Sequence, residues 1–271
     1  MTLIDTNASG PIGIYDSGVG GLSVLAAIRE LLPHEDLLYV ADAGHLPYGE
    51  KSTFYVVERA WRIAEYFASC GAKAIAIPCN TATAAAAAVL RDHYPNLPVI
   101  GIEPAVKPAA RLTRSGVIGV LATTGTLLSA KFQQLVRREA PGVEVLLKPC
   151  PGWVDLVERG ASEDDTRRLV HEPIDELIAQ RADVLVLGCT HFPFLLDYVR
   201  ARVGPDVHVL ETARPFAGEL ARRIMARGHV RQSGAGSLQI MTSGDPAVVQ
   251  ARVDRLMRGA GPVQRLPDRY C

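Results

Sequence analysis

Two stretches of the chain place a cysteine at the same kind of position. In "AIAIPCNTATAAAAA" (74–88), Cys79 ends an apolar run and begins an alanine-rich one, and in "DVLVLGCTHFPFLL" (183–196) Cys189 does the same. A thiol at a helix N-terminus faces unpaired backbone N–H groups and the positive end of the helix dipole, and both lower its pKa. The polar neighbours that can donate hydrogen bonds to an anion there are Asn80, Thr81, Thr190 and His191. These stretches predict two reactive thiols.

A matched pair of thiols fits one kind of reaction better than others. A Cys–His hydrolase needs a single nucleophile, and disulfide exchange normally uses two thiols on one short C-x-x-C segment. Moving a proton from one face of a carbon to the other needs an acid and a base whose roles interchange when the reaction reverses. Each thiol then needs an ionisable assistant. His191 is adjacent to Cys189, and Asp16, at the end of the first predicted strand, is the candidate for Cys79.

Two other motifs invite cofactor chemistry. The turn "DSGVGGLS" is a partial dinucleotide fingerprint, but its third glycine would fall at Ser23, and Asp16 would repel a phosphate. We therefore interpret Asp16 and Ser17 as residues that line a cleft. A pyridoxal phosphate enzyme needs a Schiff-base lysine, and nothing marks Lys51, which follows "PYGE", as buried. We expect no cofactor.

Composition limits the partners and the compartment. The 271 residues carry 29 basic and 29 acidic side chains, so no charge excess attracts nucleic acid or an anionic membrane. No apolar run has the roughly 20 residues of a membrane helix, and "MTLIDTNASGP" lacks the features of a signal peptide. Five cysteines without close pairs argue against a disulfide framework and against a zinc site. We predict a cytoplasmic protein that binds a small molecule, with no metal, nucleic acid or membrane as partner.

The other three cysteines have a simpler interpretation. Cys70, Cys150 and Cys271 lie at a predicted helix end, at a predicted strand end and at the last position. A lone cysteine in an apolar context is usually a small buried hydrophobic residue. We assign that structural role to all three.

The elements that must position the two thiols follow an α/β pattern. Short apolar runs that end in Gly, Asp, Cys or Thr alternate with segments of helical period, which indicates parallel sheets flanked by helices. In such sheets ligands bind beyond the carboxyl ends of the strands. The chain also overlays itself: "AKAIAIPCNT" matches "ADVLVLGCTH" at an offset of 110, and "IGIYDSGVGG" matches "IGVLATTGTL" at 106. The two offsets suggest related halves, each with one cysteine, although short α/β segments also resemble one another by chance.

Six motifs together resemble a known family. "DSGVGGLSV", "ADAGHLPYGEKS", "PCNTATA", "GVLATTGT", "GCTHFPFL" and "TSGDP", in this order, are similar to the glutamate racemases of the cofactor-independent aspartate/glutamate racemase superfamily, over about residues 11–265. The resemblance implies two pseudo-symmetric α/β domains with mainly parallel sheets flanked by helices, and an active site in the cleft between them. The first domain would be 11–103 plus 213–271, with Asp16 and Cys79. The second would be 104–212, with Glu158, Cys189 and His191.

The resemblance also implies the activity and the roles of individual residues. The family interconverts L- and D-glutamate and supplies D-glutamate for peptidoglycan. Cys79 would deprotonate D-glutamate with help from Asp16, and Cys189 would deprotonate L-glutamate with help from His191. Glu158, in "WVDLVERG", matches a further acidic helper, although its sequence context alone favours a solvated glutamate at a helix end.

The implied substrate contacts are Asp16, Ser17, Tyr48, Gly49, Asn80, Thr81, Thr123, Thr190 and His191. We expect a homodimer. The chain departs from the family pattern at Pro78, at Gly44-His45 and at Glu211, whose part in the cleft stays open.

Other functions compete with this one. An aspartate or hydantoin racemase, or a decarboxylase that uses one thiol, would share the superfamily. Two intact cysteines count against the decarboxylase, and "PYGEKS" and "CTHFPF" favour glutamate. A non-catalytic flavodoxin-like or periplasmic-type binding module would have no use for matched thiols.

Overall fold

The computed structural model of the chain describes residues 9–271, which fold as two compact units. Residues 9–102 and 213–271 form the first unit, and residues 103–212 form the second. Most of the N-terminal stretch in which we found no signal peptide lies outside the described residues. No helix in the described part of the chain is long and apolar enough to cross a membrane.

Ten β-strands are present in the described residues. In chain order they are β1 (Ile12–Asp16), β2 (Leu37–Ala41), β3 (Ala74–Ile77), β4 (Val99–Gly101), β5 (Val117–Ala122), β6 (Glu144–Pro149), β7 (Val184–Leu187), β8 (His208–Leu210), β9 (Leu238–Thr242) and β10 (Val263–Arg265). Nine of the ten match apolar runs in the sequence. The strand that the sequence did not reveal, β10, has three residues, two of them exposed, at the edge of its sheet.

Eleven α-helices separate these strands within residues 9–271. They are α1 (Leu22–Leu31), α2 (Thr53–Ser69), α3 (Asn80–His93), α4 (Val106–Leu112), α5 (Thr124–Leu128), α6 (Ala130–Glu139), α7 (Trp153–Arg159), α8 (Glu163–Ala179), α9 (Leu196–Val203), α10 (Ala213–Met225) and α11 (Pro246–Leu256). Short 3-10 turns complete the connections, among them Tyr48–Glu50 and Phe192–Leu195.

Each unit contains one parallel sheet. The first sheet has the strand order β10-β9-β2-β1-β3-β4 and the second has the order β6-β5-β7-β8. All of the paired strands in both sheets run parallel, as the sequence predicted for an α/β protein. The residues of β1, β3, β5 and β7 are all buried, because helices cover both faces of a parallel sheet.

The two sheets repeat one arrangement of four strands. The order β2-β1-β3-β4 in the first sheet corresponds to β6-β5-β7-β8 in the second. A glycine lies at the same point in each central strand: a Cβ on Gly13 would come within 2.5 Å of the Phe67 ring of α2, and one on Gly119 within 2.8 Å of Leu177 of α8. Gly13 and Gly119 are 106 positions apart, which is the offset of the sequence repeat. The topology is therefore the one expected for two related halves.

Candidate active site

Cys79 lies between the end of β3 and the first residue of α3. It is the N-cap of that 14-residue helix, and its sulfur accepts a hydrogen bond from the Ala82 N–H at 3.5 Å. The side chain is 6% exposed. A helix N-terminus directs backbone donors and the positive end of its dipole at the cap position, so it favours a negatively charged sulfur there.

Asp16 and Ser17, at the end of β1, belong to the same neighbourhood, because β1 is the strand next to β3. The Cys79 thiol donates to the Ser17 hydroxyl at an S···O distance of 3.7 Å. Asp16 is fully buried, and its Oδ1 accepts the Gly18 N–H at 2.8 Å. The hydroxyl in contact with the sulfur is therefore that of Ser17, while the role of Asp16 as assistant to Cys79 stays a prediction.

Cys189 follows β7, the strand that corresponds to β3, and lies beside a buried imidazole. The Cys189 sulfur is 3.7 Å from Nδ1 of His191, and Nε2 of His191 is 2.8 Å from Oε1 of Glu158. His191 and Glu158 are 2% and 3% exposed. Glu158, near the end of α7, is thus buried and paired rather than solvated, contrary to what its sequence context alone favours. The structure brings these three side chains into one thiol–imidazole–carboxylate row.

The charge state of His191 depends on its two partners. Burial by itself lowers the pKa of His191, but hydrogen bonds to Cys189 and Glu158 and the negative charges of both outweigh burial and raise that pKa well above its ordinary value. A protonated His191 can hold a proton close to the Cys189 sulfur. The imidazole of His191 is therefore placed where it could exchange a proton with the Cys189 sulfur.

A third cysteine lies near this row. Cys150 follows β6, is buried, and donates from its sulfur to the Lys148 carbonyl at 3.5 Å. Burial raises the pKa of the Cys150 thiol, and the charge of Cys189 raises it further, so Cys150 stays a neutral thiol. Its structural interpretation fits this environment. Cys70 differs from our expectation, because it is exposed at the end of α2, and all five cysteines are free.

The expected substrate contacts fall at the same strand ends. Asn80 is the first residue of α3 and is 6% exposed, and its Nδ2 has no hydrogen-bond partner within residues 9–271. A buried amide group without a partner costs free energy unless a ligand or water satisfies it. Thr190 is buried next to Cys189, and Thr81 is half-buried in the first turn of α3. These positions are suited to donating hydrogen bonds to a small anion.

Two further expected contacts have local roles in the fold. The Thr123 hydroxyl caps α5 by accepting the Thr126 N–H at 3.3 Å. The Tyr48 phenol is buried and donates to Oδ2 of Asp42 at 2.5 Å. Any contact of the Tyr48–Gly49 segment with a substrate would therefore use its backbone. Glu211, whose role the sequence left open, is half-buried just beyond β8.

The lysine that the sequence analysis weighed for a Schiff base lies on the surface. Lys51 is exposed, with its Nζ 5.5 Å from the centre of the Tyr55 ring. The buried lysine is Lys73, which precedes β3 at the end opposite Cys79 and lies 2.5 Å from the Glu35 carboxylate. Residues 9–271 contain no group of three or more His, Cys, Asp or Glu side chains that could hold a metal ion.

Comparison with known proteins identifies the family. The family model for Asp/Glu/hydantoin racemases matches residues 20–217. The curated glutamate racemase of Pseudomonas putida is 50% identical over 259 residues, which are 95% of this chain and 98% of that protein. The chain belongs to the Asp/Glu/hydantoin racemase family. It is therefore an enzyme, an isomerase of the racemase type.

Solved structures of family members have the same fold. A glutamate racemase isoform from Bacillus anthracis superposes with a TM-score of 0.86 at 29% identity, covering 96% of this chain and 98% of that one. The Escherichia coli glutamate racemase, solved in complex with L-glutamate and an activator, has a TM-score of 0.82 at 29% identity and covers 94% and 97%. These racemases confirm the expected α/β fold of parallel sheets flanked by helices.

Sequence reasoning missed one group of buried polar residues in the first unit. Asp42 follows β2 and pairs with Arg59 of α2, and Tyr15 of β1 donates to the Tyr48 phenol. The signal for Asp42 was its position at a strand end, the same that singled out Asp16. The sequence did not single out Arg59, because a single arginine in an amphipathic helix is normally solvated.

Proposed function

We propose that this enzyme interconverts L-glutamate and D-glutamate with Cys79 and Cys189 as its two bases, and that it needs no cofactor. The observation that carries this proposal is the pair of buried thiols just beyond corresponding strand ends, those of β3 and β7. One thiol acting alone would leave the second without a role. Two thiols supply the interchangeable acid and base that a reversible proton transfer requires.

The two thiols between them remove and supply the α-proton of the substrate. In one direction the Cys79 thiolate takes the α-proton of D-glutamate, and the Cys189 thiol gives its proton to the other face of the planar carbanion to form L-glutamate. In the reverse direction Cys189 takes the proton and Cys79 gives one. Each turnover leaves the two sulfurs in exchanged protonation states, so solvent must restore the starting state before the next turnover in the same direction.

Removal of an α-proton requires stabilisation of the negative charge that develops on the substrate. Donors fixed in advance around an anion supply this stabilisation at little reorganisation cost. The buried Nδ2 of Asn80, which lacks a partner, and the backbone at the start of α3 are donors of this kind. We assign Ser17, Gly49, Thr81, Thr190 and, through its backbone, Tyr48 to the same role.

The two helpers act on the proton of each thiol. His191, held by Glu158, accepts and returns the proton of Cys189. Asp16, at the end of the neighbouring strand, is proposed to do so for Cys79, with Ser17 next to the sulfur. Relatives with the glutamate racemase name and the L-glutamate complex of the Escherichia coli enzyme support glutamate over aspartate or hydantoins.

The proposed activity carries a cellular role. D-glutamate is a component of peptidoglycan, so the enzyme would serve cell-wall synthesis and, through it, cell shape. We further propose a cytoplasmic homodimer. Equilibrium sedimentation and fractionation of cells test these two assignments independently of the chemistry.

The activity test uses L-glutamate in deuterated water without added cofactor. Protein dialysed exhaustively against a chelator should form D-glutamate and incorporate deuterium at the α-carbon, and should act on L-aspartate far more slowly. The control variant is Cys70→Ser, which removes an exposed thiol without a proposed role. Loss of activity on dialysis that pyridoxal phosphate restores, or an absence of α-exchange, would overturn the proposal.

A further inference from the structure

A row of buried polar side chains crosses the first unit between two segments of the site. Tyr15 Oη donates to Tyr48 Oη at 2.6 Å, and Tyr48 Oη donates to Asp42 at 2.5 Å. Arg59 binds both oxygens of Asp42, with Nε and an NH₂ nitrogen at 3.0 and 2.8 Å. The same arginine also donates to the Tyr270 carbonyl at 2.8 Å. We call these four side chains the phenol–carboxylate row: Tyr15, Tyr48, Asp42 and Arg59.

The phenol–carboxylate row begins beside the Cys79 site. Tyr15 directly precedes Asp16, and the charge of Asp42 and, to a smaller extent, of Cys79 adds to burial in raising the pKa of the Tyr15 phenol. The other end of the row is the Asp42–Arg59 ion pair, whose side chains are 0% and 4% exposed. Ion pairs buried to this degree need several hydrogen bonds to offset the loss of hydration. The bidentate contact and the Tyr48 phenol provide those bonds to Asp42.

The segment between Asp42 and Tyr48 is held from a second side. The Gly44 N–H donates to the Ser243 hydroxyl at 3.2 Å, and a Cβ on Gly44 would come within 2.9 Å of the Ser243 carbonyl oxygen. Ser243 follows β9 and belongs to the "TSGDP" motif, none of whose residues the proposed function uses. The motif therefore acts as an anchor for the segment that leads to Tyr48.

We propose that Tyr48 is a positioning residue, which ties the Tyr48–Gly49 segment to the buried Asp42–Arg59 pair so that its backbone is fixed for substrate binding. The inference rests on the proposed function, in which this segment contacts glutamate. The phenol oxygen of Tyr48 is engaged on both sides, by Tyr15 and by Asp42, so it serves the fold while the backbone serves the ligand. Tyr15 acts through the same oxygen.

The test compares Tyr48→Phe with Tyr66→Phe. Tyr48→Phe removes one oxygen and keeps the ion pair, whereas Asp42→Asn would leave Arg59 buried without its counter-charge. Tyr66→Phe is the matched control, because it removes a phenol oxygen in the same core, next to Cys70. Both variants are checked for folding by circular dichroism and thermal melting before steady-state kinetics with each isomer.

Tyr48→Phe should raise KM for L- and D-glutamate together by up to roughly ten- to a hundredfold, because the full value of a hydrogen bond to a charged group is the most that this contact can contribute to fixing the segment. Its kcat should change by less than about threefold, because both thiols and their helpers stay in place. Tyr15→Phe should raise KM less, and adding it to Tyr48→Phe should raise KM no further, since both act through one oxygen. Tyr66→Phe should keep wild-type values.

The outcomes separate this inference from the proposed function. If the wild-type protein does not racemise glutamate, the proposed function fails. If the wild type racemises glutamate and folded Tyr48→Phe keeps a wild-type KM, the positioning role is wrong. A fall in kcat at unchanged KM, or an equal rise in KM for Tyr66→Phe, overturns it as well.

Discussion

The Cys79 and Cys189 sites occupy corresponding strand ends, but the protein supports the two sulfurs differently. Cys79 caps a 14-residue helix and contacts a hydroxyl, so backbone donors and Ser17 surround it. After Cys189 the chain makes a 3-10 turn at Phe192–Leu195 before α9 begins at Leu196. Its support is the imidazole of His191, which a buried glutamate holds in place.

The difference illustrates two physical ways of favouring a negatively charged sulfur within one chain. A long helix offers its dipole and its first free N–H groups, and these do not titrate. A histidine offers a proton that it can lose, so its contribution depends on pH. The site of Cys79 should therefore respond weakly to pH changes that switch the site of Cys189.

Among the residues that support the two thiols, the largest expected effects come from removing the two proposed helpers. His191→Asn should slow deuterium wash-in from L-glutamate, and Asp16→Asn should slow wash-in from D-glutamate, each by about 10²–10⁴-fold, as is typical of a general acid–base group. Asn at position 16 retains an oxygen that can accept the Gly18 N–H, so the turn should persist. Single-turnover exchange measures each direction separately, with folding checked by circular dichroism.

Steady-state kcat/KM cannot make this distinction. The equilibrium constant between two mirror-image amino acids is one, so the ratio of kcat/KM for the two directions is fixed for every variant. Equal slowing of both isomers in both folded variants would show that the helpers are not assigned to separate thiols.

A smaller effect, about 10- to 100-fold on wash-in from L-glutamate, is expected for Glu158→Gln, by analogy with the cost of removing the partner that orients a metal-binding histidine. The substitution removes one of the two negative charges that raise the pKa of His191, so that pKa should fall. The imidazolium then loses its proton at lower pH. The alkaline limb of the L-glutamate profile should move to lower pH, while the D-glutamate single-turnover profile stays in place. An unmoved limb would contradict the role of Glu158.

The smallest effect should come from Ser17→Ala. The contact between the hydroxyl and the Cys79 sulfur is 3.7 Å long, and loss of a neutral hydrogen bond of about 1 kcal/mol corresponds to roughly fivefold. The slowing should appear in wash-in from D-glutamate and not from L-glutamate. The comparison variant in the second unit is Thr123→Ser, which keeps a hydroxyl that can cap α5. A loss as large as that of Asp16→Asn would mean that Ser17, not Asp16, is the main assistant.

Much of the fold follows from the sequence, because its signals are local. Buried strands such as β3 and β7 are continuous apolar runs, and the offset of 106 between Gly13 and Gly119 reappears as the same close helix approach in both units. β10 was not predicted because its three residues, two of them exposed, show no apolar pattern. Cys70 was misjudged because an exposed helix end and a buried one have the same local sequence.

The site was predictable where chemistry and position coincide, and not where pairing is long-range. Cys79 and Cys189 could be singled out by their strand-end context, and His191 by its position two residues after Cys189. The contact between His191 and Glu158 spans 33 positions and depends on how α7 packs, so only the family resemblance pointed to it. Asp42 lies at a strand end, as Asp16 does, but nothing in the sequence indicated its pairing with Arg59, 17 positions away.

The central claim is that each thiol serves one isomer, and deuterium wash-in for Cys79→Ser and Cys189→Ser tests it most directly. A serine hydroxyl occupies the same space but has far too high a pKa to act as the base. Racemisation should fall in each variant by about 10⁴-fold or more, near the upper end for an acid–base group. Cys79→Ser should retain exchange only from L-glutamate, and Cys189→Ser only from D-glutamate. Equal residual exchange from both isomers in either folded variant would contradict the account.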